Sequence, residues 1–175
     1  VYLPSSLRVI GEYAFSECSK LFSVTYGHSE LKWSYLTIKA GNSKLTSSNR
    51  VYTYGNSANT KNLTFINNVW YYTPNGNIDY SYTGLTDYNG GYYYVSNGVL
   101  DWSYTGLAHF YGDWFFVSNG VYDKAYTGLA EYMGSWYYVK NGLLDNTYSG
   151  LVEYCGYWFY VTNGYLNWSV STLAE

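Results

Sequence analysis

Charge is scarce in this chain: Asp, Glu, Lys and Arg make up 12% of its 175 residues. The scarcity is uneven, since residues 1–61 hold seven Lys/Arg and three Asp/Glu, whereas residues 62–171 hold two and eight. The second stretch lacks the basic stripe that single-stranded nucleic-acid binders set beside stacking aromatics, so no nucleic acid is expected as a partner. Histidine occurs only at His28 and His109, and neither stands beside a Ser or Cys nucleophile with a third orienting group. Both are expected on the surface, and no catalytic residue is assigned. Cysteine occurs only at Cys18 and Cys155, without the close spacing of a metal motif, so each is expected as an isolated thiol. No 18-residue apolar run and no signal-peptide layout is present, so no membrane insertion is expected of these residues. Val1 opens inside a pattern rather than at an initiator Met, as a fragment of a longer protein would.

Aromatic surface is what the chain has in quantity: 26 Tyr, seven Trp and seven Phe, or 23% of residues. Each such side chain buries roughly 150–250 Å², so a few per repeat suffice for a continuous core. They recur with a period of 22 residues over five copies: 62–83, 84–105, 106–127, 128–149 and 150–171. A sixth copy begins at Thr172. Asn-Gly steps at Asn75, Asn97, Asn119, Asn141 and Asn163 keep this register, and so do Leu63, Leu85, Leu107, Leu129, Leu151 and Leu173. A further position reads Asn68, Gly90, Gly112, Gly134, Gly156, the two residue types that most easily accept positive φ, and so marks a tight hairpin turn. Short strands flank it, such as Leu85–Tyr88 and Tyr92–Val95, with a brief third strand over Val99–Asp101 and a loop such as Trp102–Gly106 leading onward. Gly and Asn recur too often for helices. A lone hairpin is marginal in water, but stacked copies share aromatic faces. The expected fold is all-β: a β-hairpin solenoid of five 22-residue repeats.

Comparing the copies separates core from candidate site. The series Tyr71, Tyr93, Phe115, Tyr137, Phe159 and Tyr72, Tyr94, Phe116, Tyr138, Tyr160 exchange Tyr for Phe, so the hydroxyl is dispensable and packing is the expected role. Ile66, Tyr88, Phe110, Tyr132 and Tyr154 behave likewise. Two series keep their chemistry. One is Trp70, Tyr92, Trp114, Trp136, Trp158; the other is the loop series Tyr82, Tyr104, Tyr126, Tyr148, which never becomes Phe and ends at Val170. A retained hydroxyl points to a hydrogen bond, to backbone or to a ligand. These nine residues are the candidate ligand-binding set, in pockets that combine a Trp, a loop Tyr and an Asn. The alternative is that both series only seal the joints. The acidic series Asp79, Asp101, Asp123, Asp145, then Asn167, supplies one carboxylate per repeat, far short of the six to eight oxygens calcium takes. It is expected to cap local backbone, with no metal and no cofactor.

The N-terminal stretch differs. "LPSSLRVIGEYAFSECSKLFSVTY" (Leu3–Tyr26) resembles the BspA-like leucine-rich repeats of bacterial surface proteins over about one repeat. The resemblance implies a leucine-rich-repeat-type capping segment at 1–28, in which Cys18 is a small buried core residue. Residues 29–61 are expected to connect, with a strand in "LKWSYLTIKA" (31–40) and turns in "GNSKLTSSN" and "GNSANTKN". The hairpin array is assigned to 62–175.

The 22-residue unit, carried by "YGDWFFVSNG" (Tyr111–Gly120) and "GSWYYVKNG" (Gly134–Gly142) followed by "YTG" or "YSG", resembles the cell-wall-binding repeats of Gram-positive surface proteins. That superfamily takes in choline-binding modules, glucan-binding repeats and the repeat domains of large clostridial toxins. The resemblance implies aromatic pockets between successive hairpins that bind cell-wall choline or α-glucans. One departure matters: the choline-binding unit begins with Gly-Trp, whereas here Gly84-Leu85, Gly106-Leu107, Gly128-Leu129 and Gly150-Leu151 stand. A quaternary ammonium ion takes several aromatic faces, so the loss of one wall per copy argues against choline and favours a neutral sugar or wall polymer. The expected function is a non-catalytic module at the extracellular surface of a Gram-positive bacterium, binding cell-wall polymer or polysaccharide. The alternatives are a structural stalk displaying a leucine-rich domain and a surface that binds a host protein.

Overall fold

The computed structural model describes residues 1–53 and 61–171, and divides into two compact units, Val1–Thr60 and Lys61–Glu175. Leu173, the start of the sixth copy at Thr172 and most of "GNSANTKN" lie outside the described residues.

In the first unit, β1 (Tyr2–Leu3), β3 (Ser23–Tyr26) and β5 (Asn49–Tyr52) form a parallel sheet, with Tyr2 opposite Thr25 and Thr25 opposite Val51. A parallel pair, β2 (Val9–Ile10) and β4 (Thr37–Ile38), runs separately. Parallel neighbours need crossovers of a dozen residues or more, and these converge on a core of Leu3, Ile10, Val24, Tyr26 and Leu45. Residues 29–53 thus contribute β4 and β5 to the same unit as 1–28. The strand expected over 31–40 is confined to Thr37–Ile38, because α1 (Glu30–Trp33) takes up its beginning. Ser29 caps that helix by accepting a hydrogen bond from the Lys32 N–H, with Glu30 in the first turn. Likewise "GNSKLTSSN" contains α2 (Ser43–Thr46) and the start of β5. Ahead of α2 the buried Asn42 accepts from the Phe15 N–H at 2.9 Å and donates to the Gly11 and Lys39 carbonyls at 2.7 and 2.9 Å, binding two crossovers together. His28, expected on the surface, is buried: its Nδ1 accepts the Ser29 N–H at 2.8 Å where the chain turns into α1. Cys18 is half-buried rather than buried, and both cysteines are free thiols.

The second unit is antiparallel. Its five hairpins are β6–β7 (Leu63–Ile66, Val69–Tyr72), β8–β9 (Gly84–Tyr88, Gly91–Ser96), β11–β12 (Gly106–Phe110, Asp113–Ser118), β14–β15 (Gly128–Tyr132, Ser135–Lys140) and β17–β18 (Gly150–Tyr154, Tyr157–Thr162). Their tips are two-residue turns with positive φ at both positions, which suits the right-handed twist of the flanking strands. The second position is the expected Asn or Gly. The first holds Tyr111, Met133 and Cys155 in the third to fifth hairpins at φ 47°, 50° and 53°, a conformation that costs a non-glycine residue about 1–2 kcal/mol.

The two-residue strands β10 (Val99–Leu100), β13 (Val121–Tyr122), β16 (Leu143–Leu144) and β19 (Tyr165–Leu166) make the array continuous. Each pairs with the second strand of its own hairpin and with that of the hairpin before, so Val99 faces both Ser96 and Tyr71. All 14 strands thereby join one sheet. The link is repeated as a 2.8 Å bond from the N–H of Tyr72, Tyr94, Phe116 and Tyr138 to the carbonyl of Gly98, Gly120, Gly142 and Gly164. The first copy departs from this: Asn75 does not take positive φ, and no third strand follows it. The loop after the last hairpin departs too, closing into α3 (Trp168–Ser171) where the others make a short turn without a helix.

Packing follows strand alternation. Leu107, Trp114 and Phe116 share one face of the third hairpin and press on Ala130, Tyr132, Tyr137 and Val139 of the fourth. Leu129, Trp136 and Tyr138 meet Val152, Tyr154, Phe159 and Val161 of the fifth in the same way. The core is therefore a row of similar seams.

Candidate functional site

Three seams bring together the two series singled out from sequence. Trp114 and Tyr126 pack on one cluster, Trp136 and Tyr148 on the next, and Trp70 and Tyr82 on that around Leu63 and Val95. The Trp-series ring reaches the next hairpin: Trp70 to Tyr88 at 5.3 Å between centroids, Tyr92 to Phe110 at 5.5 Å, Trp114 to Tyr132 at 4.5 Å and Trp136 to Tyr154 at 4.9 Å, with planes inclined by 54–75°. Tilted and edge-on pairs are the favoured aromatic geometry. These four rings are half-buried, and Trp158, on the last hairpin, is exposed. The asparagines of the Asn-Gly steps lie outside these clusters and face solvent.

The loop tyrosines are more deeply committed. Each ring stacks flat on a strand ring of its own copy: Tyr82 on Tyr72, Tyr104 on Tyr94, Tyr126 on Phe116 and Tyr148 on Tyr138, at 3.6–4.1 Å and 13–24°. Each hydroxyl then donates to the carbonyl three residues on, that of Leu85, Leu107, Leu129 and Leu151, the last at 2.9 Å. To reach it the side chain crosses the intervening glycine, which sits at φ 149–158°. A Cβ on Gly128 would stand 3.4 Å from the Tyr126 hydroxyl, and one on Gly150 2.8 Å from that of Tyr148. That φ, which L side chains rarely adopt, together with the close approach at Gly150, favours glycine before these four leucines. Burial, with smaller contributions from neighbouring acidic groups, pushes Tyr104 and Tyr126 up to about 12, and Tyr82 higher still.

The acidic series caps backbone locally. Asp79, Asp101, Asp123 and Asp145 each accept the N–H two residues on at 2.9 Å, and Asn167 does so at 3.1 Å. The Ser81 hydroxyl and N–H hold the Asp79 carboxyl below its ordinary range. Two further series carry structure that inspection of aromatics alone misses. Thr83, Thr105, Thr127 and Ser149 accept the N–H of Asn97, Asn119, Asn141 and Asn163 at 2.9–3.1 Å. Their unbroken hydroxyl recurrence is the signal that identifies them. Opposite the Trp series stand Asp87, His109, Glu131 and Glu153. The last three accept the N–H of their own hairpin-turn glycine, whereas the buried Asp87 takes a 2.9 Å bond from Asn62.

Among the described residues no three His, Cys, Asp or Glu side chains are grouped to hold a metal, and no helix is long and apolar enough to cross a membrane.

The family model of the choline-binding repeat matches residues 81–101, 103–123, 125–145 and 147–167, just under half of the chain and in steps of 22. These segments hold the second to fifth hairpins; the first, with its aberrant Asn-Gly turn, is not matched. No curated protein matches the chain. Among solved structures, a crystal structure of CbpF in complex with ipratropium is 26% identical over 61% of this chain, with a TM-score of 0.27. The chain spans about a third of CbpF, 32% of that molecule's length. Residues 81–167 are thus similar to a run of four choline-binding repeats.

Proposed function

We propose that this chain is a non-catalytic module that attaches an extracellular protein of a Gram-positive bacterium to cell-wall polymer or polysaccharide. The carrying observation is the seam that recurs with each 22-residue step, in which a half-exposed Trp-series ring leans on an aromatic of the next hairpin. In this reading Trp70, Tyr92, Trp114, Trp136 and Trp158 are the platforms for sugar faces, and Tyr82, Tyr104, Tyr126 and Tyr148 line and brace them. The array is a hairpin solenoid, and the parallel strands of the first unit favour a leucine-rich-type cap before it. Linked weak sites exceed single-site affinity by about 10²–10⁴ when they engage together.

Choline is the second reading, favoured by the likeness to choline-binding repeats. Against it, Leu85, Leu107 and Leu129 are buried under the seam where an aromatic wall of a cation cage would stand. One experiment separates the readings: retention of the chain on insoluble wall and on starch, each with and without free choline. Retention that survives choline and is lost on Trp114→Ala plus Trp136→Ala supports the polymer reading. Elution by choline replaces it with the second, and no retention on any matrix overturns both.

A further inference from the structure

Six Asn-Gly pairs stand in the array: the five repeated steps, and Asn89-Gly90 at the tip of the second hairpin. All six asparagines are exposed, so what distinguishes them is the glycine that follows. Gly98, Gly120, Gly142 and Gly164 are buried, and their N–H groups donate to the carbonyls of Tyr82, Tyr104, Tyr126 and Tyr148 at 2.7–2.9 Å. Their own carbonyls hold the link to the preceding hairpin, and a Cβ on any of them would come within 2.6 Å of an Asp carbonyl oxygen. Gly76 and Gly90 differ in their surroundings. Both are exposed, and a Cβ on either would meet nothing within 4 Å. The Gly76 N–H closes only its own turn, at 3.2 Å to the Thr73 carbonyl. Among the described residues nothing accepts the Gly90 N–H. His109, Glu131 and Glu153 take the equivalent bond in the next three hairpins, whereas Asp87 is buried and bonded to Asn62.

We infer that Asn75 and Asn89 are sites of spontaneous deamidation, and that the fold protects Asn97, Asn119, Asn141 and Asn163. In this reaction the deprotonated backbone nitrogen of the glycine attacks the carbonyl carbon of the asparagine side chain. A C–N bond forms, the side-chain nitrogen leaves as ammonia, and a succinimide ring closes. Water then opens either imide bond, giving aspartate or isoaspartate. Glycine permits the attack because no side chain hinders its nitrogen. The N–H must lose its proton and its peptide plane must swing towards the side chain. A buried hydrogen bond to the tyrosine carbonyl prevents both until the strand link opens locally. Either product places a carboxylate on an exposed turn. Isoaspartate at position 89 also adds a backbone atom to the two-residue turn that pairs Tyr88 with Gly91. The inference is independent of what the seams bind.

Peptide mapping by mass spectrometry of the 175-residue chain, incubated folded at mildly alkaline pH, tests it. Asn75 and Asn89 are expected to convert at least about tenfold faster than the other four, which react only through local opening of the sheet. Unfolded in guanidinium chloride, all six should convert at comparable rates, since each is the same dipeptide. Either residue lagging with the protected four overturns the proposal, and so does any of those four keeping pace with Asn75 and Asn89. Persistence of the folded order in guanidinium chloride overturns it too, because flanking sequence rather than the fold would then set the rates.

Discussion

Replacing Tyr126 by Phe removes one oxygen from the loop between the third and fourth hairpins and leaves its ring stacked on Phe116 at 3.6 Å. The lost bond runs to the Leu129 carbonyl, on a residue that is itself buried. An ordinary intramolecular hydrogen bond contributes about 0.5–1.5 kcal/mol net, and leaving its buried partner unsatisfied raises the cost towards 1–3 kcal/mol. Tyr126→Phe should therefore destabilise the array by about 1–2 kcal/mol. Tyr137→Phe, at a position where other copies already carry Phe, should cost less than about 0.5 kcal/mol. Tyr126→Ala loses the ring as well and should cost about 3–5 kcal/mol, the range for deleting a large aromatic side chain. Urea unfolding followed by tryptophan fluorescence ranks the three, with the whole chain as the unit because neighbouring repeats share interfaces. A neutral Tyr126→Phe that nonetheless fails to bind wall polymer would refute the reasoning, since the hydroxyl would then serve the ligand and not the backbone.

The two glycine turns of one copy should respond differently. A Cβ on Gly120 would lie 2.6 Å from the Asp101 carbonyl oxygen, whereas one on Gly112 meets nothing within 4 Å. Gly112→Ala should cost about 1 kcal/mol for its positive φ alone, and Gly120→Ala clearly more; equal urea midpoints would contradict this. Leu129→Ala should cost about 2–5 kcal/mol and Leu151→Ala much less, because only the first leaves a cavity in a closed seam. Alkaline stability should fall in a defined window. Below the ordinary tyrosine value of about 10 both states keep their protons and stability is level. Above it the unfolded chain ionises while Tyr104 and Tyr126 hold on to about 12, so stability declines as pH rises between the two values. Urea midpoints that rise or stay constant from pH 10 to pH 12 would exclude it.

Much of the array was legible before any coordinates, because its strongest signals are local. Asn-Gly marks a turn through the φ preference of two adjacent residues, and Gly90, Gly112, Gly134 and Gly156 do so by the same physics. The Asp series reads as a backbone cap because its partner lies two residues away. Local logic also marks the failures. Nothing adjacent to Tyr111, Met133 or Cys155 reveals that they occupy a left-handed turn position, which is imposed by the hairpin closing around them. His28 is buried although it is polar, and α1 displaces an expected strand because one capping serine outweighs an apolar run.

By itself, the amino-acid sequence determined the 22-residue step, the places where the chain reverses and the chemistry retained at each position, since all of these rest on preferences spanning a few residues. Tertiary structure alone decided that the third strand links two hairpins, and that Leu129 is buried while Leu151 is open. The physical reason is distance along the chain. What seals Leu129 is strand surface from the next copy, more than twenty residues on, a contact that no preference spanning a few residues encodes.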